Sequence, residues 1–76
     1  MKNPAVVKAF GEHLRDIRRR KGLSQQALAD EADLSRPTIQ RIETANLSAT
    51  IDVLASLARA LQVSLAELMT FPGNEL

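Results

Sequence analysis

Between positions 36 and 41 the chain reads Arg-Pro-Thr-Ile-Gln-Arg, and four of these side chains have the chemistry to match a base edge. Arg36 can donate two hydrogen bonds to guanine, Gln40 can exchange two with adenine, and Thr38 can bond a base or touch a thymine methyl. Arg41 follows Arg36 by five residues, a rotation of about 140° on a helix, so it flanks the same face within reach of a base or a phosphate. Ser24 and Gln25 stand at the start of a separate helical pattern, and Ser35 starts the one that carries Arg36. Free backbone N–H groups and the helix dipole favour an anion at such points, which makes Ser24, Gln25 and Ser35 candidates for phosphate contact.

Nothing comparable assembles for catalysis. His13 lies beside Glu12 and Asp16 with no second His and no Cys, so it reads as a surface histidine rather than a metal ligand. Ser, Asp and Glu occur without a partnered base or an oxyanion site. No glycine-rich phosphate loop is present. The expectation is a protein that is not an enzyme and uses no metal or cofactor.

A reading helix needs a scaffold, and the punctuation of the sequence marks five helices. Asn3-Pro4 offers a cap and a first helical proline. Phe10, Leu14 and Ile17 then make one apolar stripe, weakened by Gly11, so the firm part is expected from about Val7. Gly22 stops this helix after Arg18-Arg19-Arg20-Lys21, whose charge suits the negative end of the dipole. Ser24 caps a second helix over Gln25–Glu31, with Ala27, Leu28 and Ala32 inward. Ser35 caps a third, in which Pro37 at the second helical position lacks only an N–H that would be unbonded anyway. Ile39 and Ile42 form its buried edge. Asn46 to Ala49 make a loop, and Thr50 caps a fourth helix with Ile51, Leu54, Leu57, Ala58 and Leu61 in period. Ser64-Leu65-Ala66-Glu67 is a capping box for a fifth helix, which Phe71-Pro72-Gly73 ends.

These elements imply a compact, all-α single domain over residues 1–76, with a core at about 7–69 and a loose tail at 70–76. Seventy-six residues without cysteine exclude disulfides and thiol chemistry, and fit a reducing, cytoplasmic setting. Two Phe with no Trp or Tyr leave an aliphatic core. No apolar run suits a membrane span, and Met1-Lys2-Asn3-Pro4 lacks the apolar core of a signal peptide. The charge is uneven. Residues 1–41 carry nine Lys/Arg against five Asp/Glu, a net of +4, while residues 42–76 carry one Arg against four Glu/Asp, a net of −3. The positive half contains the candidate reading helix, as binding to a polyanion requires. Arg15 and Arg18 to Lys21 read mainly as a solvated face, with at most one or two of them on phosphate.

Gly22-Leu23-Ser24-Gln25-Gln26-Ala27-Leu28-Ala29 and Leu34-Ser35-Arg36-Pro37-Thr38-Ile39-Gln40-Arg41-Ile42-Glu43 together resemble the phage-repressor type of helix-turn-helix, the lambda-repressor-like or XRE family. The likeness continues through Leu54-Ala55, Leu57-Ala58, Ala60-Leu61 and Val63-Ser64 to Leu68, about residues 10–69. Helix-turn-helix docking geometry for this group is well established. The resemblance implies a sequence-specific regulator of transcription with a recognition helix at about 35–44 in the major groove of double-stranded DNA. By position it puts base reading on Arg36, Pro37, Thr38 and Arg41, with Gln40 adjacent. It puts phosphate contact on Gln25, Thr44 and Asn46, and an ion pair between Arg18 and Glu43. Two positions depart from the family pattern: Asp33 stands where the tight turn usually has Gly, and Ala45 stands where Gly often follows the recognition helix.

Leu65, Leu68, Met69 and Phe71 read mostly as core, and the resemblance further implies a homodimer on a pseudo-palindromic operator, joined through the C-terminal helix by a fraction of this set. A repressor, a restriction–modification controller and an antitoxin are all compatible with this size, and a toxin or RNA polymerase is compatible as a protein partner. The alternative is an interaction module, or an antitoxin, that uses the same fold to dock a protein.

Overall fold

Every helix begins at a side chain that caps it. The computed structural model describes residues 3–73. Among these, α1 spans Pro4–Arg20, α2 Gln25–Ala32, α3 Arg36–Glu43, α4 Ile51–Leu61 and α5 Leu65–Leu68. Asn3, Ser24, Ser35, Thr50 and Ser64 each accept a backbone N–H three residues on, at 3.0–3.3 Å. At Ser64 the bond is reciprocated, because the Ser64 N–H donates to the Glu67 carboxylate at 3.2 Å. Contrary to the expected start near Val7, α1 is helical from Pro4, and α2 runs one residue past Glu31.

The ends of α1 to α4 share a pattern too. Gly22, Asp33, Ala45 and Gln62 each adopt a left-handed conformation, with φ of 75°, 60°, 62° and 58°. In each case the next residue turns its N–H back onto the preceding helix: Leu23 to Arg18, Leu34 to Ala29, Asn46 to Arg41 and Val63 to Ala58, at 2.8–3.1 Å. This is the Schellman closure, and it satisfies carbonyls that a helix end would leave unbonded. Asp33 therefore does the work of the family's usual Gly, at the modest cost of positive φ.

The core is aliphatic, with Leu14, Leu28, Ile39, Ile42, Leu57, Leu61 and Leu68 fully enclosed. α3 packs on α1 and α2, α2 also packs on α4, and α4 on α5. In α2 the buried set is Leu28, Ala29 and Ala32, while Ala27 is only half-buried. A Cβ added at Gly11 would lie 2.5 Å from the Ile42 carbonyl oxygen and 2.8 Å from that of Glu43. The residue that weakens α1 locally is thus what lets the α3 backbone settle against it.

Three expectations for the C-terminal half are corrected. Ile51 belongs to the apolar period of α4 but is 78% exposed, since it sits in the first turn before the helix reaches the core. The tail does not begin at residue 70: Phe71 is buried, with its ring 5.7 Å from that of Phe10 and tilted by 58°. Residues 74–76 of that expected tail lie outside the described residues. Leu68 and Phe71 are also unavailable as a dimer surface, because folding itself buries both; of the expected set only Leu65 is exposed, with Met69 half-buried. His13 is half-buried rather than a free surface group, stacked on Phe71 at 5.2 Å.

Candidate nucleic-acid interface

α3 has two faces of different chemistry. At about 100° per residue, Arg36, Gln40, Thr44, Pro37 and Arg41 fall on one continuous arc of roughly 140°. All five are exposed. Measured from Arg36, Ile42, Ile39 and Glu43 fill the arc from about 240° to 340°, with Glu43 next to Arg36, and all three are buried. Thr38 lies on the border. It is half-buried, its hydroxyl is 2.8 Å from the Ser35 hydroxyl, and its backbone N–H donates to the Ser35 Oγ at 3.2 Å. Arg36, Gln40 and Arg41 thus project freely, while Thr38 is tied to the helix cap.

Glu43 is the buried charge beneath this surface. Arg18 donates to its two oxygens in a fork, Nε to Oε2 at 2.6 Å and Nη2 to Oε1 at 2.9 Å. The third guanidinium nitrogen donates to the Leu23 carbonyl at 2.9 Å, just before α2. The Gln25 side-chain amide adds a bond to Glu43 Oε1 at 3.2 Å, and Arg15 Nε lies 3.7 Å from the same oxygen. One carboxylate therefore ties α1, the entrance to α2 and the end of α3 together. The hydrogen bonds to Glu43 raise the Arg18 pKa above its ordinary value, against the opposing effect of desolvation. Among the described residues, no buried side-chain N or O lacks a partner.

The remaining expected phosphate ligands are placed around α3. Ser24 and Ser35 are exposed, and each uses its Oγ to accept from its own helix, which leaves the hydroxyl proton of Ser24 to point outward. Gln25, at the first position of α2, commits one amide N–H to Glu43 and keeps the other. Past the end of α3, the Thr44 hydroxyl donates to the Gln40 carbonyl at 2.8 Å and accepts from the Asn46 amide at 3.0 Å. Its proton is committed inside the helix, so Asn46, with a second amide proton, is the better anion donor of the two. Sequence reasoning found Arg18 and Glu43 only through the family resemblance. It missed the bond from Gln25 to Glu43, which joins a side chain at an anion-favouring helix start to the anchor of the exposed arc. No local pattern signals that bond, because its partners are 18 residues apart.

A profile of the helix-turn-helix domain matches residues 9–71, most of the chain. The chain belongs to the helix-turn-helix domain family. At that level it is a DNA-binding, all-α transcription regulator. Solved structures with this helix-turn-helix fold include the restriction–modification controller protein C.AhdI from Aeromonas hydrophila, 34% identical, with a TM-score of 0.80 over 82% of this chain and 94% of that one. The clp gene regulator ClgR from Corynebacterium glutamicum is 28% identical, with a TM-score of 0.78 over 83% of this chain and 82% of its own. The wild-type controller protein C.Esp1396I has the same identity and TM-score over 83% and 82%. The helix-turn-helix anticipated from residues 24–43 corresponds to α2, the Asp33 turn and α3. Among the described residues no helix is long and apolar enough to cross a membrane, and no cluster of His, Asp or Glu could hold a metal ion.

Proposed function

We propose that this chain is a sequence-specific regulator of transcription that binds double-stranded DNA as a homodimer, with residues 35–44 of each copy in the major groove of a pseudo-palindromic operator. The observation that carries the proposal is α3 itself: an exposed arc of Arg36, Gln40 and Arg41 on a helix whose buried face is locked by a buried ion pair. Arg36 and Arg41 supply bidentate donors for base edges, Gln40 a matching amide, and Pro37 apolar contact. Thr38, tied to Ser35, contributes its methyl group. Ser24, Gln25, Ser35 and Asn46 hold the flanking phosphates and set the register of the helix. Thr44 acts one step back, orienting Asn46. That similar structures are those of a restriction–modification controller protein and a gene regulator favours a regulatory role.

Three measurements test this. In vitro selection of bound duplexes should return two half-sites about 34 Å apart, centre to centre. On a selected duplex, Arg36→Ala should cost ~1–3 kcal/mol and relax preference at one base pair, as read from competition binding. An equal loss on selected and random DNA would reassign Arg36 to phosphate. In a salt titration, a dimer making ~6–10 phosphate contacts should lose ~10³–10⁵ in affinity between roughly 50 and 200 mM salt. Absence of duplex binding at low salt would overturn the reading in favour of a protein-docking module.

A further inference from the structure

α1 faces two ways. Gly11, Arg15 and Arg18 meet α3, whereas His13, Ile17 and Arg20 lie roughly 180–240° around the helix from Gly11. On that far side, between α1 and the segment that enters and forms α5, runs an open groove of about 690 Å³. Ile17, Val63 and Ala66 give it an apolar lining, and Arg20, Lys21 and Glu67 supply its charge. The other polar groups there are occupied. The Glu67 carboxylate accepts the Ser64 N–H of the capping box, His13 Nε2 lies 3.4 Å from the Glu67 carbonyl, and the Thr70 hydroxyl donates to the Ala66 carbonyl at 2.6 Å. The two cations are not. Arg20 has only an exposed contact with Asp16 at 3.9 Å, and Lys21 is exposed with no ion pair among the described residues. A solvated pair of that length contributes little. A neighbouring groove on the other side of His13 has the opposite charge, with Glu12 and Asp16 and no Lys or Arg in its lining.

We infer that the groove lined by Ile17, Val63 and Ala66 docks a protein segment that carries carboxylates beside an aliphatic side chain. Charge complementarity selects this occupant. A carboxylate reaches the uncommitted Arg20 and Lys21 while its aliphatic neighbour covers the apolar lining. A basic segment would meet both cations and be repelled. Nucleic acid satisfies the cations but has almost no aliphatic surface to lay over Ile17, Val63 and Ala66. A small carboxylate ligand would stay largely exposed in so open a groove, whereas small-molecule sites enclose most of the ligand. The position decides what such docking does. α1, about 10 Å across with its side chains, separates the groove from α3. That is about one Debye length at physiological salt, so the field of bound DNA reaches an acidic segment in the groove already screened. A partner is therefore held on the chain without competing for the exposed arc of α3.

This inference does not depend on the DNA-binding reading and fails separately from it. Panning a random peptide library on the full wild-type chain should enrich sequences with Asp or Glu next to Leu, Ile or Val. The most enriched peptide, synthesised with a fluorescent label, is the probe for anisotropy titrations. Replacing both cations, Arg20→Glu with Lys21→Glu, should weaken its binding about tenfold or more. Ala66→Gln, which extends over the apolar lining without changing charge, should weaken it as well. All three positions are exposed, so the melting temperature should fall by no more than about 5 °C in either variant. Glu12→Gln in the neighbouring groove should leave the affinity unchanged. Amide shifts on adding the peptide should centre on Lys21, Val63 and Ala66 and spare α3, with the selected duplex present or absent. Enrichment of basic peptides, wild-type affinity in both groove variants, or shifts centred elsewhere would each overturn the assignment. Displacement of the peptide by random-sequence duplex would give the cations to nucleic acid, and displacement by octanoate would give the groove to a small ligand. A change in self-association on Ala66→Gln, read by sedimentation velocity, would give it to a second copy. Loss of DNA binding with peptide docking intact would count only against the groove-reading function.

Discussion

The two halves of this small domain are held together by different physics. The half around α3 adds directional contacts to the packing of Leu28, Ile39 and Ile42: the Arg18–Glu43 fork, the bond from Gln25 to the same carboxylate, and a backbone approach that Gly11 alone permits. The half around α4 and α5 depends on Leu57, Leu61, Leu68 and a tilted Phe10–Phe71 pair. Aliphatic packing is strong but non-directional, and it tolerates a rotation or a slide that keeps the volume filled. A forked ion pair has one good geometry. A helix that must present side chains to base edges has reason to be held by the second kind of contact, while a helix that only closes the core does not.

The sharpest way to break this comparison is to remove the shared carboxylate. Glu43→Ala leaves the buried Arg18 guanidinium without its partner, and the expected loss of stability is ~3–5 kcal/mol by denaturant unfolding. The loss comes mainly from the uncompensated charge, so a second variant that also replaces Arg18 with Met should recover part of it. A Glu43→Ala variant as stable as wild type would show that the fork contributes little and that α3 is held by Ile39 and Ile42 alone.

Next comes the backbone contact. Gly11→Ala adds one carbon against two carbonyl oxygens of α3, and neither can give way without moving the end of the recognition helix. Alanine favours α1 as a helix, so local propensity predicts stabilisation by up to ~1 kcal/mol. The clash predicts the opposite, a net loss of ~1–3 kcal/mol. Duplex binding should weaken beyond what the unfolded fraction explains, because the surviving fold has a displaced α3. In the other half, Leu57→Met keeps the volume of a fully enclosed side chain and should cost less than ~1.5 kcal/mol, with DNA binding unchanged. If Leu57→Met shifted base preference as Gly11→Ala does, the division into a directional and a non-directional half would fail.

Much of this architecture is written locally. Ser24, Ser35, Thr50 and Ser64 are legible as caps because the cap and its bonded N–H lie three residues apart. The buried face of α3 follows from Ile39 and Ile42 at helical spacing. Ile51 and Phe71 mark the limit. Periodicity reports that a side chain is apolar on one face; it does not report whether that face meets the core, another copy or water. Ile51 keeps the period of α4 and is exposed, while Phe71 lies beyond the last helix and is buried by a ring 61 positions earlier. Gly11 shows the same limit from the other side. Its local penalty is visible in sequence, but the contact that offsets it is with residues 42 and 43. The base- and phosphate-contacting roles assigned within the exposed arc still rest on resemblance and chemistry, and the binding experiments above address them.

The smallest expected effect concerns the hinge between the two halves. Ala45 adopts φ of 62°, a conformation that costs an L-residue with a Cβ roughly 1–2 kcal/mol and glycine almost nothing. Ala45→Gly relieves that strain but also loosens the unfolded chain, and these opposing terms leave a net gain of roughly 0.5–1 kcal/mol in thermal or denaturant unfolding. The Schellman bond from Asn46 to Arg41, at 2.8 Å, should survive, since it needs only the left-handed turn. What the substitution changes is stiffness: glycine widens the range of angles at which loop 46–50 can leave α3. If that loop fixes the distance between two reading helices, Ala45→Gly should be more stable as a folded chain yet discriminate less between operators of correct and altered half-site spacing. A variant that gains stability and keeps the same spacing preference would show that the contact between copies, rather than the loop, sets the spacing.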